Sequence, residues 1–370
     1  MSMGSIYSAT DKALFDAINQ ASVTSSDLRA LFLKHGIIIS KTTPRAVLAR
    51  HYARLLHDYY DFEALARMFG KSHRRERSTS VEVEAGGSLS EFEEAAHEVV
   101  TKLVENSDVA NVAVMGDGSL QIHVRYKTFN FTKSEFRQVE VRTAVITVEE
   151  ENGSIVLRGP DNEKVTQICS DLISILEAKD DGELKVGSIN LEDFQNSEDR
   201  TRFFELLIDK VPGYSQLDVS DVYLYNPKKD VDGLDDEEGE IDDDEPTLGI
   251  HITRASLKGG RVLESPEIKE LLVKGFYISK IVWKARESGF DADKVEFEAQ
   301  FGEPETCTRF SYLVKGYYEY QGDGRFSKHR KQFDSADERE LGKLIERAAR
   351  AAIASLPKIV EATDDASKMD

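Results

Sequence analysis

Two kinds of hydrophobic periodicity divide this chain and limit the folds open to it. Up to about residue 70, apolar residues recur at helical spacing, and Gly36 and Pro44 mark where helices end and begin. From about residue 88, apolar and polar residues alternate in runs that turn sequences such as Asn152-Gly153 separate. The sequence therefore predicts an α+β protein, with a small all-helical N-terminal module followed by antiparallel sheets and helices.

The first seventy residues predict a separately folding module of short helices. Thr24 and Asp27 have the spacing of a capping box at the start of one helix. Gly36 ends that helix, since glycine adopts a left-handed conformation at little cost. After an extended link, Thr43 caps the next helix and Pro44 takes its first position, where the missing N–H costs nothing. Flanking helices are predicted at about residues 11–20 and 61–70.

The segment of about residues 24–56 resembles the helix-extension-helix family, which includes the SAP and LEM-like domains. In that family a leucine-bearing helix ends at a glycine, an extended link follows, and a Thr-x-x-Arg-like cap opens a second helix. Here the glycine is Gly36 and the cap leads into Arg45. The apolar link Ile37–Ile39 and the two flanking helices depart from the DNA-binding version. Because members of the family bind either nucleic acid or protein, the resemblance implies one of these two partners.

Charge is distributed unevenly along the chain. The net charge is −20, which argues against a general nucleic-acid binder, yet residues 1–80 carry +5 and the remainder −25. Phosphate binding by this basic head, protein docking and a merely solvated face are the alternatives. In the first, the contacting residues are predicted to be Lys34, Lys41, Arg45, Arg50 and Arg54, extended by Lys71, Arg74, Arg75 and Arg77.

After the head, the order helix, four strands, helix occurs twice, which predicts two α-ββββ-α domains and suggests a diverged duplication. The predicted divisions are a basic and polar linker at 71–87, domains at 88–180 and 181–357, and a polar tail at 358–370. Within the second domain, 11 of the 16 residues of 230–245 are acidic. Such a run repels itself and buries no core, so 230–246 is predicted to be a disordered loop.

No specific catalytic motif, cofactor-binding motif or metal-binding motif is present. The eight histidines are scattered, and no two of them stand four residues apart. A metal-dependent nuclease is the alternative function, since acidic pairs beside a lysine bind magnesium in such enzymes. Its candidate residues are Glu183 and Lys185 with Asp161, Asp171 or Asp181, and Glu296 and Glu298 with Asp291 or Asp293.

The aromatic residues near residue 315 suggest a further binding surface. In a long strand Tyr312, Tyr318 and Tyr320 are predicted to share one face, with Tyr317 on the other. Aromatic side chains on a sheet stack bases or line a ligand groove, although packing in the core is the commoner role. Trp283 is predicted to lie in a core or an interface.

These patterns together favour a non-enzymatic adaptor. Its head is expected to recruit DNA or a protein, and its acidic body to dock other subunits of a multi-protein complex, for instance in bacterial antiviral defence. Two cysteines cannot form a disulfide framework, and no signal peptide or run of eighteen apolar residues is present. A cytoplasmic location without membrane contact is therefore expected.

Overall fold

The computed structural model describes residues 9–20, 23–69, 75–84, 88–179, 184–227 and 253–357. Contacts divide the chain into two compact units, one of residues 1–75 with 93–146 and the other of residues 76–92 with 147–370. In the described ranges, no helix combines the length and the apolar composition needed to cross a membrane. The predicted acidic loop at 230–246 lies outside these ranges, as does the predicted tail at 358–370.

Helices and strands alternate along the described residues, and a helical region comes first, which confirms the predicted α+β fold class. Helices α1 to α9 are Asp11–Asn19, Ser25–Lys34, Arg45–Tyr52, Tyr59–Phe69, Leu89–Glu105, Glu163–Lys179, Ser197–Asp209, Pro266–Val273 and Ser335–Ala354. Strands β1 to β11 are Ser78–Glu84, Val109–Val114, Leu120–Phe129, Val139–Glu151, Ser154–Pro160, Lys185–Ser188, Tyr214–Tyr225, Arg254–Lys258, Tyr277–Glu287, Lys294–Glu303 and Thr308–Tyr318.

The predicted order of helix, extended link and helix is confirmed in the head, which we define as residues 9–69. Thr24 and Asp27 make the predicted capping box at the start of α2. Gly36, at a φ of 72°, follows the end of α2. Helix α3 begins at Arg45, one residue later than predicted, so that Pro44 takes the N-cap position and no side chain caps the helix.

The head does not close its core alone. Leu31, Tyr52 and Leu65 are almost wholly buried among the apolar side chains of the four helices. Phe136, which lies between β3 and β4 in the same unit, joins this core and stacks on Phe62 with the ring centroids 5.2 Å apart. The helices therefore share their core with a segment about seventy residues further along the chain.

The sheets are antiparallel throughout the pairings described. In the first unit β2 pairs with β3, and β4 follows β3. In the second unit the strand order is β4, β5, β1, β11, β10, β9, β7, β8, with β6 also paired to β1. The last of the four strands predicted for the second α-ββββ-α domain, residues 325–333, is not formed, and only isolated bridges join Tyr317 to Lys331 and Tyr320 to Phe326.

Strand β1 lies inside the predicted linker at 71–87, and the linker prediction is wrong over these residues. One edge of β1 pairs with β5 along its whole length, from Ser78 to Glu84. The other edge pairs with β11 at Ser78 and with β6 from Val81 onward. The sequence of β1 alternates polar residues with Val81 and Val83, which is the period of a strand. The basic residues just before β1 are typical of a linker, and they outweighed this short alternation in the prediction.

Helices α7 and α9 pack against one face of the sheet in the second unit. Phe203 and Phe204 of α7 pack on Phe301 of β10, with ring centroids 5.3 and 5.6 Å away. Helix α9 presents small residues to the same core, which lets it lie close to the strands. Trp283 is fully buried in this core.

A buried network of charges also joins α9 to the sheet. The Arg158 guanidinium lies 2.8 Å from both Glu346 and Glu149, and 2.9 Å from Glu151. Tyr312 donates a hydrogen bond of 2.7 Å to the second oxygen of Glu346. Only 7% of the Arg158 side chain and 1% of the Glu346 side chain are exposed. Lys343 also lies 2.9 Å from Glu149, so two cations compensate carboxylates that solvent reaches poorly, and Arg158 is the one that pairs with Glu346.

We expect Arg158→Met to destabilise the second unit by about 3 to 5 kcal/mol, because it leaves the buried Glu346 carboxylate without its cation. Urea unfolding followed by the fluorescence of Trp283, the only tryptophan in the sequence, measures this loss. Arg202→Met is the control, because Arg202 makes an exposed ion pair with Glu205. The free energy of unfolding of Arg202→Met is expected to fall by less than about 1 kcal/mol. Equal losses in the two variants contradict the structural role of Arg158.

Candidate functional site

Arg45 is predicted to contact phosphate, but its guanidinium lies inside the head. One of its terminal nitrogens, Nη1, is 2.5 Å from the carbonyl oxygen of Val23, 2.8 Å from that of Gln20 and 3.2 Å from that of Ile18. These carbonyls belong to the last turn of α1 and the residues after it. Arg45 therefore fixes the end of α1 against the start of α3, and it is not free to bind a phosphate.

Four other predicted cations of the head are exposed: Lys34, Lys41, Arg50 and Arg54. Lys34 ends α2, and Lys41 lies in the link that follows it. Arg50 and Arg54 are four residues apart, on or just beyond α3. None of the four makes an ion pair or a side-chain hydrogen bond with another described residue, which leaves them available to an anionic partner.

The remaining predicted cations do not extend this surface. Lys71 and Arg74 lie outside the described residues. Arg75 is half-buried and already has an interaction partner. Arg77 makes an ion pair with Glu298, with its Nε 2.8 Å and its Nη2 2.7 Å from one carboxylate oxygen. Arg77 is therefore tied to the sheet of the second unit.

Large apolar side chains are exposed in the same part of the head. The exposed fraction is 63% for Leu33, 90% for Ile38 and 95% for Leu56. Leu33 immediately precedes Lys34, and Leu56 follows Arg54 by two residues. Exposed apolar residues are therefore close in sequence to the exposed cations of the head, a composition that also suits a protein partner.

Glu296 and Glu298, candidate metal ligands in the nuclease alternative, are compensated by cations. Glu296 lies 3.2 Å from Lys315 and 3.0 Å from Arg330, and Glu298 lies 2.7 Å from Lys280. Burial opposes ionisation of both carboxyls, but these cations and their hydrogen bonds outweigh it and hold both pKa values below the usual range. Their charges therefore stabilise the sheet.

The other acids of the nuclease alternative form no common site among the described residues. Asp161 pairs with Arg309 at 3.1 Å, and Asp171 accepts a hydrogen bond from Gln167. Asp293 accepts one from the backbone N–H of Tyr320. Asp291 is exposed and Lys185 lies on β6, whereas Asp181 and Glu183 are outside the described residues.

Three cations on the same sheet have no such compensation. Lys284, Arg286 and Lys294, which we call the cation cluster, lie on the paired strands β9 and β10. Within the described part of the chain, no carboxylate lies within ion-pair distance of any of them, and the buried Nε of Arg286 has no hydrogen-bond partner. Burial, followed by the like charge of Lys284, lowers the pKa of Lys294. Asp218 and Glu296 act in the opposite direction and are outweighed.

Aromatic rings hold the cation cluster in place. The ammonium groups of Lys284 and Lys294 lie 5.6 and 5.1 Å from the centroid of the same ring, that of Tyr318. Lys294 is also 4.5 Å from the ring of Phe326, and the Arg286 guanidinium carbon is 5.4 Å from that of Tyr320. Cation–π attraction therefore contributes to the stabilisation of these charges.

A bulge in β11 decides which tyrosines meet the cluster. Phe297 pairs with Val314 whereas the adjacent Glu296 pairs with Gly316, so β11 carries one extra residue. Tyr312 and Tyr317 consequently both lie on the core side, and the prediction that Tyr312, Tyr318 and Tyr320 share a face is wrong. The bulge also requires glycine at 316, where a Cβ would lie 2.1 Å from the Lys331 carbonyl oxygen.

The cluster could have been inferred from the sequence. Lys280, Lys284 and Arg286 stand at even positions of one alternating run, which places their side chains on one face of a strand. The overall negative charge of the body masked this local excess of positive charge.

The sequence matches no family model, and no curated protein matches it. The resemblance of residues 24–56 to the helix-extension-helix domains therefore rests on their residue pattern and on the order of their elements.

Replacing Arg45 by alanine is expected to loosen α1, because three backbone carbonyls lose a charged donor. Hydrogen bonds to a charged group contribute about 1.5 to 3 kcal/mol each, so the amides of α1 should exchange at least about tenfold faster. Hydrogen exchange followed by mass spectrometry tests this, with Arg50→Ala as the exposed control. Unchanged exchange in Arg45→Ala refutes the structural role of Arg45.

Proposed function

We propose that this chain is a non-catalytic adaptor that binds single-stranded nucleic acid through the cation cluster of its sheet. The observation that carries this proposal is three adjacent cations without a carboxylate partner in a chain of net charge −20. Two of them approach a single tyrosine ring, where their mutual repulsion is unfavourable. A phosphate group placed between them relieves that repulsion.

A single strand fits this site better than a small anion, because bases can stack on the aromatic rings beside the cations. Aromatic residues beside cations on a sheet are typical of proteins that bind single strands. The charge compensation of Glu296 and Glu298 favours binding over metal-dependent cleavage.

Neutralising the cluster in the full chain by the double substitution Lys284→Gln and Lys294→Gln tests the proposal. Fluorescence anisotropy with a labelled twenty-nucleotide single-stranded DNA is expected to show at least tenfold weaker binding near 100 mM salt. The slope of log K against log salt should become shallower by about 1.4, since each phosphate contact on a single strand contributes about 0.7. Duplex DNA of the same sequence should bind more weakly than the single strand.

The matched control is Lys258→Gln. Lys258 is an exposed cation 5.9 Å from the ring of Tyr223, but it already has a carboxylate partner in Asp221 at 3.4 Å. The Lys258→Gln variant should therefore bind DNA almost as well as the unaltered chain. The proposal fails if neither DNA is bound at 50 mM salt, or if the control loses as much affinity as the double substitution.

Protein docking by the head is a second candidate function, favoured by the exposure of Leu33, Ile38 and Leu56. Purifying the tagged full chain from its own cells, beside its Ile38→Ser and Leu56→Ser double variant, addresses it. A protein that co-purifies with the unaltered chain but not with the double variant indicates docking through these exposed apolar residues. An identical set of accompanying proteins contradicts this function.

We also propose that the chain works in the reducing cytoplasm as one component of a larger assembly. The free thiols of Cys169 and Cys307, both buried, support a reducing compartment.

A further inference from the structure

Two histidines and one aspartate converge in the head, although they are distant in the sequence. His35 follows the last residue of α2, His57 lies in the link between α3 and α4, and Asp61 is in the first turn of α4. One atom from each, the Nε2 of His35, the Nδ1 of His57 and the Oδ2 of Asp61, lies within 4.8 Å of the others. The exposed fractions of these side chains are only 20%, 12% and 16%.

The hydrogen bonding of His57 fixes where its lone pair points. The Nε2 of His57 is 2.8 Å from the carbonyl oxygen of Tyr52. Because a carbonyl oxygen only accepts, this ring nitrogen carries the proton. In the neutral imidazole the Nδ1 is then an electron pair that faces the Asp61 carboxylate at 3.8 Å. Two electron-rich atoms in this arrangement repel each other unless a positive charge lies between them.

His35 contributes a second ring nitrogen that faces the Asp61 carboxylate without a hydrogen bond. Its Nε2 is 3.6 Å from the same Asp61 oxygen, which is too far for a hydrogen bond. Both this nitrogen and the Nδ1 of His57 are buried and have no hydrogen-bond partner. A buried polar atom without a partner is unfavourable, and such atoms are rare in folded proteins. Two of them aimed at one carboxylate form a set of donor atoms that suits a cation.

We propose that His35, His57 and Asp61 bind a divalent transition-metal ion of the zinc class. Two imidazole nitrogens and a carboxylate oxygen form a ligand set that zinc accepts, and bond lengths of 2.0–2.2 Å place tetrahedral ligands about 3.4 Å apart. The two ring nitrogens lie 3.6 and 3.8 Å from the Asp61 oxygen, close to that spacing, and the three ligand atoms all lie within 4.8 Å of one another. Three protein ligands leave the fourth position to solvent.

Neighbouring groups already orient these ligands. The hydrogen bond to Tyr52 holds His57 in the tautomer that leaves its Nδ1 free, as backbone carbonyls do for metal-binding histidines. The Tyr52 ring packs against both imidazoles, with ring centroids 4.6 Å from His57 and 5.7 Å from His35. The backbone N–H of Asp61 donates to the Asp58 side chain at 2.9 Å, which fixes the start of α4.

The bound ion ties the end of α2 to the start of α4. Each of these helices is about ten residues long, and helices of that length are marginal without tertiary contacts. The proposed ion therefore adds a tertiary contact between the two helices, while its fourth position stays open to solvent. The site is independent of the proposed nucleic-acid binding, which uses other residues.

The full chain, stripped with a chelator and then dialysed against micromolar zinc, tests the site. We expect one zinc ion per chain by elemental analysis and a higher thermal midpoint with zinc than without it. Cobalt in place of zinc should give the visible absorption of a tetrahedral site. His57→Gln and Asp61→Asn should each weaken zinc binding by at least a hundredfold.

His51→Gln is the matched control, because His51 is an exposed histidine of the same helical region. It should keep the zinc, the cobalt spectrum and the thermal shift. Circular dichroism of the metal-free forms separates loss of binding from loss of folding. If a variant is unfolded, the ring nitrogen shifts of His35 and His57 in the unaltered chain decide the question, since zinc moves the bound nitrogens and leaves the others.

Two results overturn the proposal. One is an unaltered chain that retains no zinc and shows neither a thermal shift nor a ring nitrogen shift. The other is a His51→Gln variant that loses zinc as completely as His57→Gln does, which would show adventitious binding.

Discussion

Pairing of poorly solvated charges is the constraint on which the second unit depends. A charge removed from water is costly unless an opposite charge or several hydrogen bonds replace its hydration. Arg158 meets this condition with three carboxylates, and Glu298 meets it with Arg77 and Lys280. These contacts join strands distant in sequence to one another and to α9. The groups that fail the condition therefore stand out, and they mark the candidate sites.

In the part of the chain that the structure describes, two clusters of side chains stand out in this way, and they are of opposite kinds. On the sheet, the cation cluster has an excess of positive charge that the aromatic rings only partly offset. In the head, the electron pair on His57 Nδ1 faces the Asp61 carboxylate at 3.8 Å and has no hydrogen-bond partner among the described residues. A bound anion would neutralise the excess positive charge of the cation cluster, and a bound metal cation would separate His57 Nδ1 from the Asp61 carboxylate. Each unit thus carries a site whose electrostatics specify the charge of its ligand, although the two sites are unrelated in sequence and chemistry.

Local signals in the sequence predicted local structure well. The capping box of Thr24 and Asp27, the stop at Gly36 and the strands of the hairpins follow from nearest neighbours along the chain. Partners distant in sequence were not predictable in this way. Strand β1 owes its place to β5 and β11, and Arg45 meets carbonyls more than twenty residues away. The bulge at Gly316 reversed the faces of the tyrosines, and no periodic pattern announces one inserted residue. His35 meets His57 and Asp61 only after α2 and α4 have packed.

The central claim is that the cation cluster contacts nucleic acid, and photochemical crosslinking tests it most directly. The full chain is irradiated with a single-stranded DNA that contains a photoreactive thymine analogue, and the attachment sites are mapped by mass spectrometry. The account predicts adducts on the aromatic residues beside the cluster, Tyr318, Tyr320 and Phe326, with fewer adducts as salt rises. Adducts confined to peptides outside β9, β10 and the segment 318–326 would contradict it.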